Sequence, residues 1–163
     1  GKKMLNEEKE ILSFQTALAK TNYEKRKLFL VKAEGPASTV GRPDDALQKI
    51  IDITKIDVII MIDAALKMEG EQSASVARGF GAAIGGIGTE KFQIEQIATE
   101  NKIPVLSIVV KQSVKEAITL MTKEIADQAD NVCSQVYEMI MENTVEGQSV
   151  VIIGVGNTAG VPQ

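Results

Sequence analysis

The sequence predicts an α/β fold: a three-layer sandwich around a mainly parallel sheet of about four or five strands. Two observations predict it. Residues 27–33, 56–62, 103–110 and 149–153 are short, mostly apolar runs, and 56–62 is near-continuously apolar and β-branched, as strands buried on both faces are. Segments with helical spacing of apolar residues alternate with them, the pattern of a parallel sheet with helices on its faces. At 163 residues the whole chain, 1–163, suits one domain, long enough to bury about 70% of its unfolded surface. Gly1 reads as a tag remnant, so the expectation is a piece of a longer protein.

Taken in order, Asn6 is placed to cap a helix through about Lys20. Glu7 and Glu8 would lie in its first turn, with Ile11, Phe14 and Leu18 on one face. The strand at 27–33 leads into a loop with Gly35, Pro36 and Gly41. Pro43, Asp44 and Asp45 then open a short helix whose apolar stripe is Leu47, Ile50 and Ile51. The strand at 56–62 ends on Asp63. Residues 66–79 have no decided period.

Five glycines fall between Gly79 and Gly88, after which Thr89 caps a helix to about Asn101, with Phe92, Ile94 or Glu95, and Ile97 near its buried stripe. Pro104 opens the next strand, where proline is tolerated. Ser113-Val-Lys-Glu116 is a capping box. From there an apolar period continues through Ala117, Leu120, Ile125, Val132, Val136 and Ile140. One helix of about 30 residues would be about 45 Å long, so either it breaks near 127–131 or its end projects onto a partner subunit. The strand at 149–153 leads into Gly154-Val-Gly156-Asn157.

Ligands of such sheets bind outside the carboxyl ends of the strands. The candidate site is therefore Asp63, as a catalytic acid/base or as an oxygen ligand for a divalent cation. Around it stand the ligand-binding candidates Glu34, Gly81, Gly85, Gly86, Gly88, Lys111 and Asn157. Glu34, Asp44, Asp45, Glu69 or Glu71 would complete a carboxylate site with Asp63, Glu34 or Glu69 in the hydrolase reading, and Lys32, Arg42 or Lys111 would supply a cation. The glycine loop before Thr89 could cradle an anion. Gly154-x-Gly156-x-x-Ala159 has the dinucleotide spacing without a following helix.

Composition narrows the chemistry. There is no histidine and one cysteine, Cys133, which excludes Ser-His-Asp and Cys-His catalysis, Cys/His zinc sites and an internal disulfide. Net charge is -4 and aromatics are 4%, so nucleic acid is not an expected partner. The expected partners are a small molecule or ion and a second copy of the chain. The expected location is the cytoplasm, or a membrane reached through a flank outside this sequence.

Three runs carry a resemblance: Lys32-Ala-Glu-Gly-Pro with Gly41-Arg-Pro, Met61-Ile-Asp-Ala-Ala-Leu-Lys-Met-Glu-Gly-Glu, and Gly81-Ala-Ala-Ile-Gly-Gly-Ile-Gly. They resemble an archaeal family of uncharacterised proteins, which are longer chains with an N-terminal hydrophobic segment. A more distant similarity rests on Asp57-Val-Ile-Ile-Met-Ile-Asp63-Ala-Ala, Ile103-Pro-Val-Leu-Ser-Ile-Val-Val and Val114-Lys-Glu-Ala. These look like the spore germination protease and the hydrogenase maturation proteases, in which the acid matching Asp63 is catalytic or binds metal. Their second acid follows a strand ending Gly-x-Gly-Asn. Here that strand end is Gly154-Val-Gly156-Asn157, and the matching position falls near Gln163. The resemblance implies the fold and a role for Asp63. The functions in view are a ligand- or ion-binding domain, a carboxylate- or metal-dependent hydrolase of peptidase type, and an assembly module.

Overall fold

The structure, a computed structural model, describes residues 9–13, 16–33, 42–81, 89–117 and 122–155. In chain order the elements are β1 (Lys9–Ser13), β2 (Thr16–Tyr23), β3 (Arg26–Ala33), α1 (Pro43–Ile53), β4 (Val58–Leu66), β5 (Val76–Phe80), α2 (Thr89–Glu100), β6 (Val105–Gln112), α3 (Val114–Ala117), α4 (Lys123–Asp127), α5 (Ala129–Asn143) and β7 (Ser149–Gly154). The seven strands form one sheet in the order β1-β2-β3-β7-β4-β6-β5. Its centre, β3-β7-β4-β6, is parallel. Antiparallel strands close both sides, β1 and β2 beside β3 and β5 beside β6.

The crossovers decide the layers. The chain moves one way across the sheet from β3 to β4 and on to β6, then back from β6 to β7. Right-handed crossovers travelling in opposite directions put their helices on opposite faces. Accordingly Leu47 and Ile50 of α1 and Ile94 and Ala98 of α2 pack on one face, against Phe29, Val31, Ile59, Met61, Val105, Val151 and Ile153. Val132, Val136, Met139 and Ile140 of α5 pack on the other, against Leu28, Leu30, Val58, Ile60, Leu106, Ile108, Val150 and Ile152. Alternate residues of each central strand thus feed two cores, which is why these strands read as continuous apolar runs. The three-layer α/β architecture is the expected one.

Three expectations are corrected. Residues 9–13 and 16–23 are two strands, not a helix. Register from Tyr23↔Arg26 to Thr16↔Ala33 binds β2 along the whole of β3, and pairing of that length overrides a helical spacing of three apolar residues. The connecting pair Glu24-Lys25 takes φ of 44° and 58°, the two-residue hairpin geometry that matches strand twist. The Asn6 cap lies outside the described residues. Second, β4 does not stop at Asp63 but continues to Leu66, and the undecided stretch after it holds the edge strand β5. With β1 and β2 this makes seven strands among the described residues, rather than four or five. Third, Phe92 is not on the buried stripe of α2. It is 70% exposed, and Ile94 and Ala98 make the stripe.

Other local readings stand. Pro43 opens α1. The capping box closes, with the Ser113 N–H donating to Glu116 Oε2 at 2.6 Å and the Glu116 N–H to Ser113 Oγ at 3.3 Å. The long apolar period breaks at Gln128, between α4 and α5, but also at Thr122, where no break was expected: it is extended and its hydroxyl accepts the Ile125 N–H as the cap of α4.

Candidate functional site

Asp63 lies on β4 beside Val109 of β6, on the α1/α2 face. Its side chain is almost wholly buried because α2 lies over it. Oδ1 accepts the Ala64 N–H at 2.7 Å, and Oδ2 meets the ammonium of Lys91, from the first turn of α2, whose side chain is 14% exposed. Burial pushes the Asp63 carboxyl above its ordinary range, and the contacts from Lys91 and the Ala64 N–H pull against that rise. A buried pair of this kind gains from mutual attraction about what it loses in hydration, and removing either partner strands the other.

Lys111 is two residues beyond Val109 and paired in register with Ala65, so it shares the face of Asp63 one step nearer the carboxyl edge. Its side chain is 16% exposed and its ammonium stands 3.5 Å from Glu71 Oε2. Glu71 belongs to the loop 67–75, which crosses the end of β6 to reach β5. Backbone bonds hold this loop down: Lys67 N–H to Gln112 O at 2.8 Å and Ala74 N–H to Lys111 O at 2.7 Å. Side chains hold it too, with Ser73 Oγ donating to Glu116 Oε2 at 2.8 Å. The Met68 N–H, and after it the ammonium groups of Lys111 and Lys67, keep Glu71 below the usual carboxylate range.

The structure therefore brings Asp63 and Lys111 to one edge of one face. Gly81 stands elsewhere, at the far end of the β5–β6 ladder, where its N–H donates to Val105 O at 2.8 Å. With φ at +80° it takes the turn after β5, and a Cβ there would come 3.6 Å from Glu95 Oε2. Glu34, Gly85, Gly86, Gly88 and Asn157 lie outside the described residues. Glu69 is exposed. Cys133 is half-buried on α5.

The residue that sequence reasoning missed is Lys91. A faint signal was available: a lysine in the first turn of a helix opposes the helix dipole, and such a position asks for a carboxylate nearby. Among the described residues no group of three or more acidic or cysteine side chains could hold a metal ion. No helix among them is long and apolar enough to cross a membrane. A groove of about 350 Å³ lies at the opposite, amino edge, between the ends of α1 and α2, lined by Thr54, Lys55, Asp57, Asn101 and Lys102 among others. It is remote from the buried ion pair.

Compared with known families, residues 2–162 match the model described as domain of unknown function (DUF1512) C-terminal. No curated protein and no solved structure matches the chain.

Proposed function

This chain belongs to the DUF1512 C-terminal family of unknown function, and from that premise we propose that it binds a small acidic molecule at the carboxyl ends of β4 and β6. Lys111 and Lys91 are its cations and Asp63 is the counter-charge beneath them. One observation carries the reading. The chain leaves β4 through the loop 67–75, which crosses the end of β6 to reach β5, so this loop lies over the carboxyl ends of both strands. The carboxyl ends of parallel strands are where α/β sheets take their ligands. At that point stand two lysines with side chains only 14% and 16% exposed, each facing a carboxylate.

A carboxylate or phosphate entering there replaces Glu71 at Lys111, whose contact is loose, and adds charge opposite Lys91. A divalent cation would instead have to displace Lys91 from Asp63. A hydrolase would need a second acid, and Glu71 is already engaged by Lys111 and the Met68 N–H. The apolar side of α5 is spent on the sheet, so assembly gains no support from it.

Thermal unfolding tests the reading, with inorganic phosphate, acetate and succinate on one side and Mg²⁺, Mn²⁺ and Ca²⁺ on the other. A ligand at 100 times its Kd adds about 2.7 kcal/mol, several degrees for a domain of this size. The expected result is a shift with one or more acids that Lys111→Ala removes. A shift with a cation alone, lost in Asp63→Asn, would overturn the acid reading in favour of the metal-dependent hydrolase.

A further inference from the structure

The middle of the loop 67–75 is a closed unit. The Glu71 N–H donates to Met68 O at 3.1 Å, which makes residues 68–71 a turn. Its third residue, Gly70, takes φ of 86° with open space around it, a conformation that glycine adopts freely. Side chains tighten the same turn. Glu71 Oε2 accepts the Met68 N–H at 2.7 Å, and the Lys67 ammonium donates to Glu71 O at 3.0 Å. Met68, Glu69, Gly70 and Gln72 are exposed, and Glu71 is partly buried between them. Glu71 Oε2 carries the turn's contact with the sheet, 3.5 Å from the Lys111 ammonium. The anchors of the loop lie outside the turn. They are the Lys67 N–H on Gln112 O, the Ala74 N–H on Lys111 O and the Ser73 hydroxyl on Glu116.

We propose that the turn 68–71 is a built-in competitor: Glu71 holds Lys111 while the site is free, and the turn swings outward when an acid takes that lysine. The inference rests on the acid-binding reading above and adds its regulation. The two partners are unevenly placed, with the Lys111 side chain 16% exposed and that of Glu71 37%. The cation thus belongs to the body of the protein and the acid to its surface. Parting from Lys111 leaves the turn's own bonds to Met68 and Lys67 intact, so the turn moves as one piece between its anchors. A carboxylate carried on so short a loop stands at a high effective concentration beside the lysine. A free acid then binds only to the open fraction, and its apparent affinity falls by that fraction.

The test titrates inorganic phosphate and succinate into wild type, Glu71→Gln and Glu69→Gln, followed by backbone amide chemical shifts at residues 68–71 and 109–112. Glu69→Gln removes the same charge from an exposed position of the same turn and controls for general repulsion. The expected result is binding about two- to fivefold tighter in Glu71→Gln, the factor by which a partly exposed ion pair favours its closed form. Glu69→Gln should bind as wild type does. Without acid, Glu71→Gln should unfold at a slightly lower temperature than wild type, so affinity and stability move in opposite senses.

Equal affinity in wild type and Glu71→Gln, or weaker binding in the variant, would overturn the inference and leave acid binding standing. Equal gains in the two variants would overturn it in favour of general repulsion. No binding of either acid by any of the three proteins would sink this inference and the acid-binding reading together.

Discussion

Strand β4 carries an aspartate near each end, and the two live opposite lives. Asp57, just before the strand at the amino edge, has its Oδ2 on the Ser149 N–H at 3.0 Å and its Oδ1 on the largely exposed Lys55, also at 3.0 Å. Burial raises its carboxyl, but the Ser149 N–H and Lys55 outweigh burial and hold it below its ordinary range. Asp63, at the carboxyl edge, is deeper and has one backbone donor and one ammonium, and burial wins. The same side chain ties two strands together at one edge and stores an uncomfortable charge at the other. A group whose environment disfavours its charged form is the better candidate for function.

The amino edge repeats the lesson with a cation. Arg26, 5% exposed, has no carboxylate against it among the described residues. It donates to Thr144 Oγ1 at 2.8 Å, Thr144 O at 3.0 Å and Glu24 O at 2.7 Å. It thus fastens the β2–β3 hairpin to the end of α5, where the helix dipole favours a positive charge. At that edge Arg26 and Asp57 are both held by backbone hydrogen bonds. The carboxyl edge balances charges in pairs that a ligand can enter.

The largest break in this contrast is Lys91→Met, which strands Asp63 in the core. The expected loss is about 3–5 kcal/mol at pH 7, shrinking toward pH 5 as Asp63 takes up a proton. Urea denaturation at the two pH values reads it, and equal losses at both would mean that Asp63 is not the group left behind. In wild type the sign follows from the raised carboxyl. Protonation of Asp63 favours the folded state, so its stabilising contribution is complete below the unfolded value of about 3.9. That contribution is lost as pH rises through the folded value. Asp63→Asn/Lys91→Met removes both charges and should recover most of the single-variant loss.

Next comes Arg26→Met, which takes their donor from the carbonyls of Glu24 and Thr144 and leaves the Thr144 hydroxyl only its bond to Ile140 O. It should cost about 2–3 kcal/mol, the same at pH 5 and pH 8, because no titrating acid among the described residues faces it. Asp57→Asn should cost about 1 kcal/mol with the pH sense reversed. The lowered carboxyl stabilises above its unfolded value and loses that contribution as pH falls through the folded one. A pH dependence matching that of Asp63 would erase the distinction between the two aspartates.

The smallest expected effect is Arg78→Gln. Arg78 reaches from β5 to Glu138 and Glu142 of α5 but is a partly exposed surface pair, worth about 0.5–1 kcal/mol and weakened by salt. A loss above 2 kcal/mol would show that this clamp, not apolar packing, fixes α5.

Much of this was legible in the chain because burial on both faces leaves an unmistakable run. The four parallel strands, α1 after Pro43, α2, the Ser113–Glu116 box and the break near residue 128 all follow from local rules. The hairpin of β1 and β2 was hidden because Ile11, Phe14 and Leu18 fit a helix as well as an edge. Strand β5, Val-Ala-Arg-Gly-Phe, is too short and polar to announce itself. Asp63 and Lys111 were legible as charges toward the carboxyl ends of apolar runs, although β4 goes on three residues past Asp63 to Leu66. Lys91 was not, because its partner is set by how α2 docks, which no local pattern encodes.

Strand β7 sits between β3 and β4, yet in sequence it lies far from both. Without it, β1-β2-β3 and β4-β6-β5 share no backbone hydrogen bond across the gap, and each is a three-stranded ribbon with an open flank. The strand works as a zip whose closure depends on the longest-range contacts in the sheet. Such contacts form late and slowly. The two halves should therefore gain protection from hydrogen exchange together rather than in turn.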